Sequence, residues 1–137
     1  MISFILIVNK QSQTRFSKYS HPCTIQHQQR SDFELGLSRE CIQREGHQNY
    51  IFNYHGVGIA HRRYASLYFI LGFADENPFA MLELIQFCVE CLEEQVDRVS
   101  ELDILFNLDK VHVIMDEIIL NGMLVESNRK RAAPQMT

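Results

Sequence analysis

Residues Val99–Gly122 read VSELDILFNLDKVHVIMDEIILNG, and this stretch decides how the rest of the chain is organised. Ser100 followed three positions later by Asp103 has the spacing of a capping box. Hydroxyl and carboxylate each stand where they can satisfy backbone donors that a first helical turn leaves orphaned. Asn107 offers a second helix start, and Asn121-Gly122 a stop, because both residues tolerate the left-handed conformation that ends helices. Between them Leu108, Val111, Met115, Ile118 and Ile119 recur at steps of three and four, so one face is apolar and must pack against something. No arrangement of reactive groups accompanies these signals. The segment is shaped for packing and docking rather than for turnover.

Upstream, Asn77-Pro78 opens a long helix, with Asn at the cap and Pro in the first turn. Leu82, Ile85, Val89, Leu92 and Val96 mark its core face. Strands come before it. Phe4, Leu6 and Val8 alternate with Ile5, Ile7 and Asn9 in a run apolar on both sides, the pattern of a central strand. Lys10 to Gln13 is turn-like, Thr14 to Tyr19 returns as a strand, and His21-Pro22 breaks the chain. Gln28 to Ile42 is predicted helical, with Phe33, Leu35, Leu37 and Cys41 only partly in phase. Tyr50–Tyr54 and Val57–His61 form a hairpin around His55-Gly56, and Ala65–Phe73 is a further strand. Strands feeding late helices give an α+β fold, a five-stranded antiparallel sheet sandwiched by helices. The length suits one domain, taken as residues 1–127. The tail 128–137, with Arg129-Lys130-Arg131, has little to bury and is expected to be flexible.

Charge is unevenly spread. Residues 1–64 hold eight Lys/Arg against four Asp/Glu, and residues 65–137 five against thirteen, leaving +4 and −8. Such asymmetry suits complementary contacts with proteins or headgroups, or reflects acids gathered on solvated helix faces. Ile2–Val8 has no basic residue before it and no small-residue cleavage site after it, so a buried strand is expected instead of a signal peptide. Ala80–Leu92 is interrupted by Glu83 and Glu90 and is too short to span a bilayer. Met1 is followed by Ile2, not by the glycine that myristoylation requires. Four cysteines with no secretory context point to reduced cytosolic thiols.

Reactive constellations are weak. Cys88-Val89-Glu90-Cys91 is a CxxC placed well inside a helix, whereas a redox pair sits at a helix N-terminus, where the dipole lowers the thiol pKa. No second CxxC and no His pair stands at zinc spacing, so no metal is expected. Gly56-Val57-Gly58 lacks the third glycine of a dinucleotide loop, and Glu93, Glu94 and Asp97 read as solvated helix carboxylates. Neither a catalytic set nor a cofactor is expected, and the chain reads as a non-enzyme. His61-Arg62-Arg63-Tyr64 and Arg129-Lys130-Arg131 are basic, but neighbouring strand residues face opposite ways and the second half is acidic. Nucleic acid is therefore not an expected partner.

Three blocks carry a family resemblance. FILIVNKQSQTRFSKY, the run His61-Arg62-Arg63-Tyr64-Ala65-Ser66-Leu67-Tyr68-Phe69, and VSELDILFNLDKV followed by MDEIILNG together resemble the small (sigma) subunits of heterotetrameric adaptor-protein complexes. They occur in family order with roughly family spacing, from residue 1 to about residue 128. With Leu108 and His112 where other members carry aromatics, the wording is most similar to the small chains of adaptor complex 4. The resemblance implies the longin-like (SNARE-like) fold and a place beside large and medium adaptin subunits. It also implies vesicle-mediated transport at trans-Golgi or endosomal membranes, with membrane contact only through the complex. A sigma chain of another clathrin-adaptor complex, or another longin-type trafficking subunit, is the alternative.

Some members of that family read acidic dileucine signals, [DE]-x-x-x-L-[LI], in cytosolic cargo tails. Carried over by matching position, Arg15 is the basic contact for the acid, and Ala65, Leu67, Val89, Val99, Leu102 and Ile104 form the pocket wall. Apart from the resemblance, Arg15 reads as a solvated strand residue and the apolar positions as core. Arg98 departs from the family pattern of a small polar residue beside the Val; a long cation there either fills the pocket or adds an acid contact. Members of the family also often end in a further apolar helix, which this tail largely lacks.

Overall fold

The computed structural model describes residues 2–20, 25–44, 50–96 and 99–120. The expected break at His21-Pro22, the stop at Asn121-Gly122, Asp97, Arg98 and the tail with its boundary at residue 127 lie outside the described residues. Five strands, β1 (Ile2–Asn9), β2 (Thr14–Tyr19), β3 (Ile51–Tyr54), β4 (Val57–Tyr64) and β5 (Leu67–Phe73), pair antiparallel in the order β2-β1-β5-β4-β3. Among the described residues a short 3-10 turn (His27–Gln29) and four α-helices accompany them: α1 (Arg30–Gln43), α2 (Pro78–Gln95), α3 (Glu101–Phe106) and α4 (Leu108–Leu120).

β1 is an interior strand, flanked by β2 and β5, as its two-sided apolar pattern requires. Phe4, Leu6 and Val8 join the cluster under α1, while Ile5 and Ile7 join the cluster under α2 and α4. Ile2 falls on the same side as Ile5, against simple alternation, because the register with β5 shifts between Ile2 and Phe4. α1 covers its face of the sheet with Phe33, Leu37 and Cys41, one helical turn apart. Leu35, the residue out of phase, stays exposed.

On the opposite face Asn77 caps α2, its side-chain oxygen accepting from the Phe79 N–H at 2.9 Å, with Pro78 in the first turn. The buried face of α2 is wider than the periodicity predicted. Met81, Leu84 and Cys88 are buried beside Ile85, Val89 and Leu92, whereas Leu82 is half-buried. The cause is position: α2 packs on β4 and β5 and also against α4, its neighbour on the same face of the sheet. Val111, Met115 and Ile118 hold α4 in place, and Leu108 is half-buried.

The β3–β4 hairpin turns at His55 and Gly56, whose φ angles of 51° and 84° give the doubly left-handed turn that matches strand twist. β4 runs three residues further than predicted, to Tyr64, and pairs there with Leu67. Ala65 is consequently not a strand residue. With Ser66 it makes a two-residue turn, at φ 55°.

Candidate functional site

One end of the molecule gathers the segments that the sequence singled out. β1 ends there at Asn9, which pairs with Leu67 at the start of β5. The β4–β5 turn with Ala65 lies at the same end, with the Ala65 carbonyl accepting from Arg63 Nε at 2.9 Å. α3 packs against β2, the strand that carries Arg15. Ser100 caps α3 through its hydroxyl, which accepts from the Asp103 N–H at 3.2 Å and donates to Asp103 Oδ2 at 3.1 Å. Asn107 works differently from the expectation. Its side-chain amide donates to the Asp103 carbonyl at 2.8 Å, closing the end of α3, while its backbone carbonyl accepts from the Val111 N–H to begin α4.

Of the seven candidate residues, Leu67, Val89, Val99 and Ile104 all belong to the buried core on the α2–α4 side of the sheet, drawn from β5, α2, the entry to α3 and α3 itself. Ala65 is exposed at the turn, and Leu102 points outward with 62% of its surface accessible. Leu105 and Phe106 extend that exposed apolar surface along α3. Leu67 and Ile104 have no accessible surface at all, so the wall is closed in this conformation. A groove of about 310 Å³ opens elsewhere, between α2 and α4, lined by Phe87, Cys91, Glu94, Gln95, Ile114, Glu117 and Ile118. It shares no residue with the seven.

Arg15 is half-buried and engaged. Its Nε lies 2.9 Å from Glu101 Oε1, and its terminal nitrogen donates to Gln13 Oε1 at 2.8 Å. Asn9, itself buried, donates from Nδ2 to the same Glu101 oxygen at 3.0 Å and to Gln13 Oε1 at 2.8 Å. Its Oδ1 accepts from the N–H groups of Gln11 and Gln13, which fixes the β1–β2 turn. The Asn9 hydrogen bond first, and the Arg15 hydrogen bond and charge with it, hold the Glu101 carboxyl below its ordinary range against the opposing effect of burial. Asn9, Gln13 and Glu101 were not singled out in the sequence. The available signals were an Asn opening a polar turn and an acid in the first turn of a capped helix.

Among the described residues the other polar groups show no cluster of three or more potential metal ligands. Burial pushes the Cys88 and Cys41 thiols up to about 12, and burial with nearby Glu94 and Glu90 also raises Cys91. Tyr64 donates to Glu93 at 2.7 Å on the surface, and that bond raises its phenol. Arg62 pairs with Phe69 and Arg63 with Tyr68, whose rings belong to opposite faces of the sheet, so the two guanidiniums share no groove. Among the described residues no helix is long and apolar enough to cross a membrane.

A five-stranded antiparallel sheet between helices defines a longin-like α+β fold. The chain belongs to the clathrin adaptor complex small chain family, whose model matches residues 1–137. It is 46% identical over 132 residues to the AP-4 complex subunit sigma-1 of Homo sapiens, covering 96% of this chain and 90% of that one. The AP-4 complex subunit sigma of Arabidopsis thaliana is 40% identical, over 93% of this chain and 89% of its own length. The AP-1 complex subunit sigma-1 of Schizosaccharomyces pombe is 36% identical, over 93% and 78%. In three dimensions the chain matches a subunit in a homology model of the full-length AP-3 complex, with a TM-score of 0.70, 25% identity, and coverage of 98% and 97%. The protein is thus a small subunit of an adaptor coat complex in vesicle-mediated protein transport.

Proposed function

We propose that this subunit assembles with two large adaptins and a medium adaptin into a complex of the AP-4 kind, and that its Arg15 end binds acidic dileucine signals in cargo tails. In this reading the subunit is not an enzyme, uses no cofactor, and reaches trans-Golgi or endosomal membranes only as a peripheral part of the complex. The observation that carries it is that exposed Leu102 directly follows Glu101, the acid bonded to Arg15, at the end where Ala65 is also exposed and Leu67 starts β5. Burying each of two leucine side chains of a signal is worth about 1.5–3 kcal/mol, and the upstream acid needs a nearby cation, preferably a guanidinium. Because the wall is closed, α3 has to shift for a leucine to reach it.

Two measurements test the proposal. Affinity purification is expected to recover two large adaptins and a medium chain; recovery with SNARE or GTPase partners alone refutes the assembly. In the purified four-subunit core, Leu102→Ser combined with Arg15→Ser is expected to abolish binding of an acidic dileucine peptide. Leu102 is largely exposed, so serine there leaves the core packed, and unchanged peptide binding would mean that these residues serve packing alone.

A further inference from the structure

The cation that would receive the signal's acid already holds one from its own chain. Glu101 Oε1 sits 2.9 Å from Arg15 Nε, and Gln13 takes a second guanidinium donor at 2.8 Å. Glu101 is not a stray surface acid that happens to lie nearby. Its oxygen also accepts from Asn9, a buried side chain whose other polar atom is tied into the β1–β2 turn. The carboxylate is therefore held on Arg15 from the sheet side. It is also the residue immediately before exposed Leu102, on a six-residue helix whose partners are β2 and α4.

We infer that Glu101 is an internal competitor for Arg15 and sets how strongly the site discriminates acidic dileucine signals from those lacking the acid. This rests on the dileucine reading above and concerns the selectivity of that same site. An incoming carboxylate must either displace Glu101 or share the guanidinium's remaining N–H donors with that second carboxylate close by, so in both cases part of its electrostatic gain is offset. A signal without an acid leaves the Arg15–Glu101 pair intact and loses little. Hence the chain takes signals mainly by their apolar pair. Both partners are about 30% accessible, which places the pair among partly exposed ones.

The test uses the assembled four-subunit core and two fluorescent peptides, one with the acidic dileucine signal and one with alanine in place of its acid. Glu101→Gln keeps an oxygen for Asn9 to donate to and removes only the charge. Competition predicts that the variant binds the acidic peptide about two- to five-fold more tightly, the factor a partly exposed ion pair supplies. The alanine peptide should be unaffected. Adding Arg15→Ser to the variant should erase this new preference, and raising salt should reduce it. An unchanged ratio of the two affinities overturns the inference while leaving dileucine recognition standing. A fall in acidic-peptide binding overturns it as well, because Glu101 would then be positioning Arg15 for the ligand. If neither form binds either peptide, the inference and the dileucine reading fail together.

Discussion

Ser100→Ala isolates what holds α3, the helix that presents both Glu101 and Leu102. With six residues, α3 is far below the ~12–15 residues at which an isolated helix becomes even marginal in water, so its cap and its packing must hold it. Ser100 supplies two of those interactions, the bond accepted from the Asp103 N–H and the one donated to the Asp103 carboxylate. Truncating such a cap costs about 1 kcal/mol, within a span of about 0.5–2. At room temperature that is roughly a five-fold increase in the local opening equilibrium of the helix. Ile104 and Asn107 report it directly, since their N–H groups donate to the carbonyls of Ser100 at 2.9 Å and Asp103 at 3.0 Å. Hydrogen exchange at these two amides should accelerate about five-fold, within the same span, while the paired amides of β1 and β5 keep their wild-type rates. Ser100→Thr should restore most of the protection, since its hydroxyl can both accept from the Asp103 N–H and donate to the Asp103 carboxylate. Two results refute the reasoning: unchanged exchange at Ile104 and Asn107, or an equal acceleration across the sheet. The first would show packing alone to be sufficient, and the second that α3 opens only with the whole domain.

Two further perturbations probe the core. A Cβ added at Gly72 would stand inside the Phe4 ring, with even its Cδ2 only 2.8 Å away, and that ring is buried and packed edge-on against Phe33. Gly72→Ala should therefore cost about 1–3 kcal/mol, seen as a lower urea midpoint at unchanged m, and Phe4→Leu in the same chain should recover part of it. A neutral Gly72→Ala, or no recovery, excludes the overlap as cause. Native-state alkylation with iodoacetamide near pH 8 should label half-buried Cys91 well before Cys41 and Cys88, whose thiols are pushed up to about 12 by burial. Rapid labelling of Cys88 in the folded protein would contradict the packing of α2.

Local rules sufficed wherever the determining groups are neighbours in the chain. Ser100 and Asn77 announce their helices because a cap bonds to a backbone two or three residues away, and β1 was legible because a strand buried on both sides needs no alternation. Ala65 was misplaced because nothing in Tyr64-Ala65-Ser66-Leu67 has the Gly or Asn that advertises a tight hairpin; the turn is imposed by the pairing of β4 with β5. The buried face of α2 was too narrow because Met81, Leu84 and Cys88 are covered through tertiary packing, which helical periodicity alone does not specify. At the site, Arg15 and the apolar wall were reached through family resemblance, since composition gives no way to tell a pocket leucine from a core leucine. Glu101 escaped notice because its partner lies 86 residues away.

The strand order also has a consequence in time. β1 is made first, yet its partner β5 is completed only when residue 73 has been added, since Asn9 pairs with Leu67 and Ile2 with Phe73. At roughly 5–20 residues per second, the gap between Asn9 and Leu67 amounts to about 3–12 s of synthesis. Until then the Phe4–Val8 run can pair on one side with β2 while its other edge stays open, the condition under which nascent chains pair wrongly with one another. An interior strand of the finished sheet is thus an open edge in the newborn chain until β5 arrives.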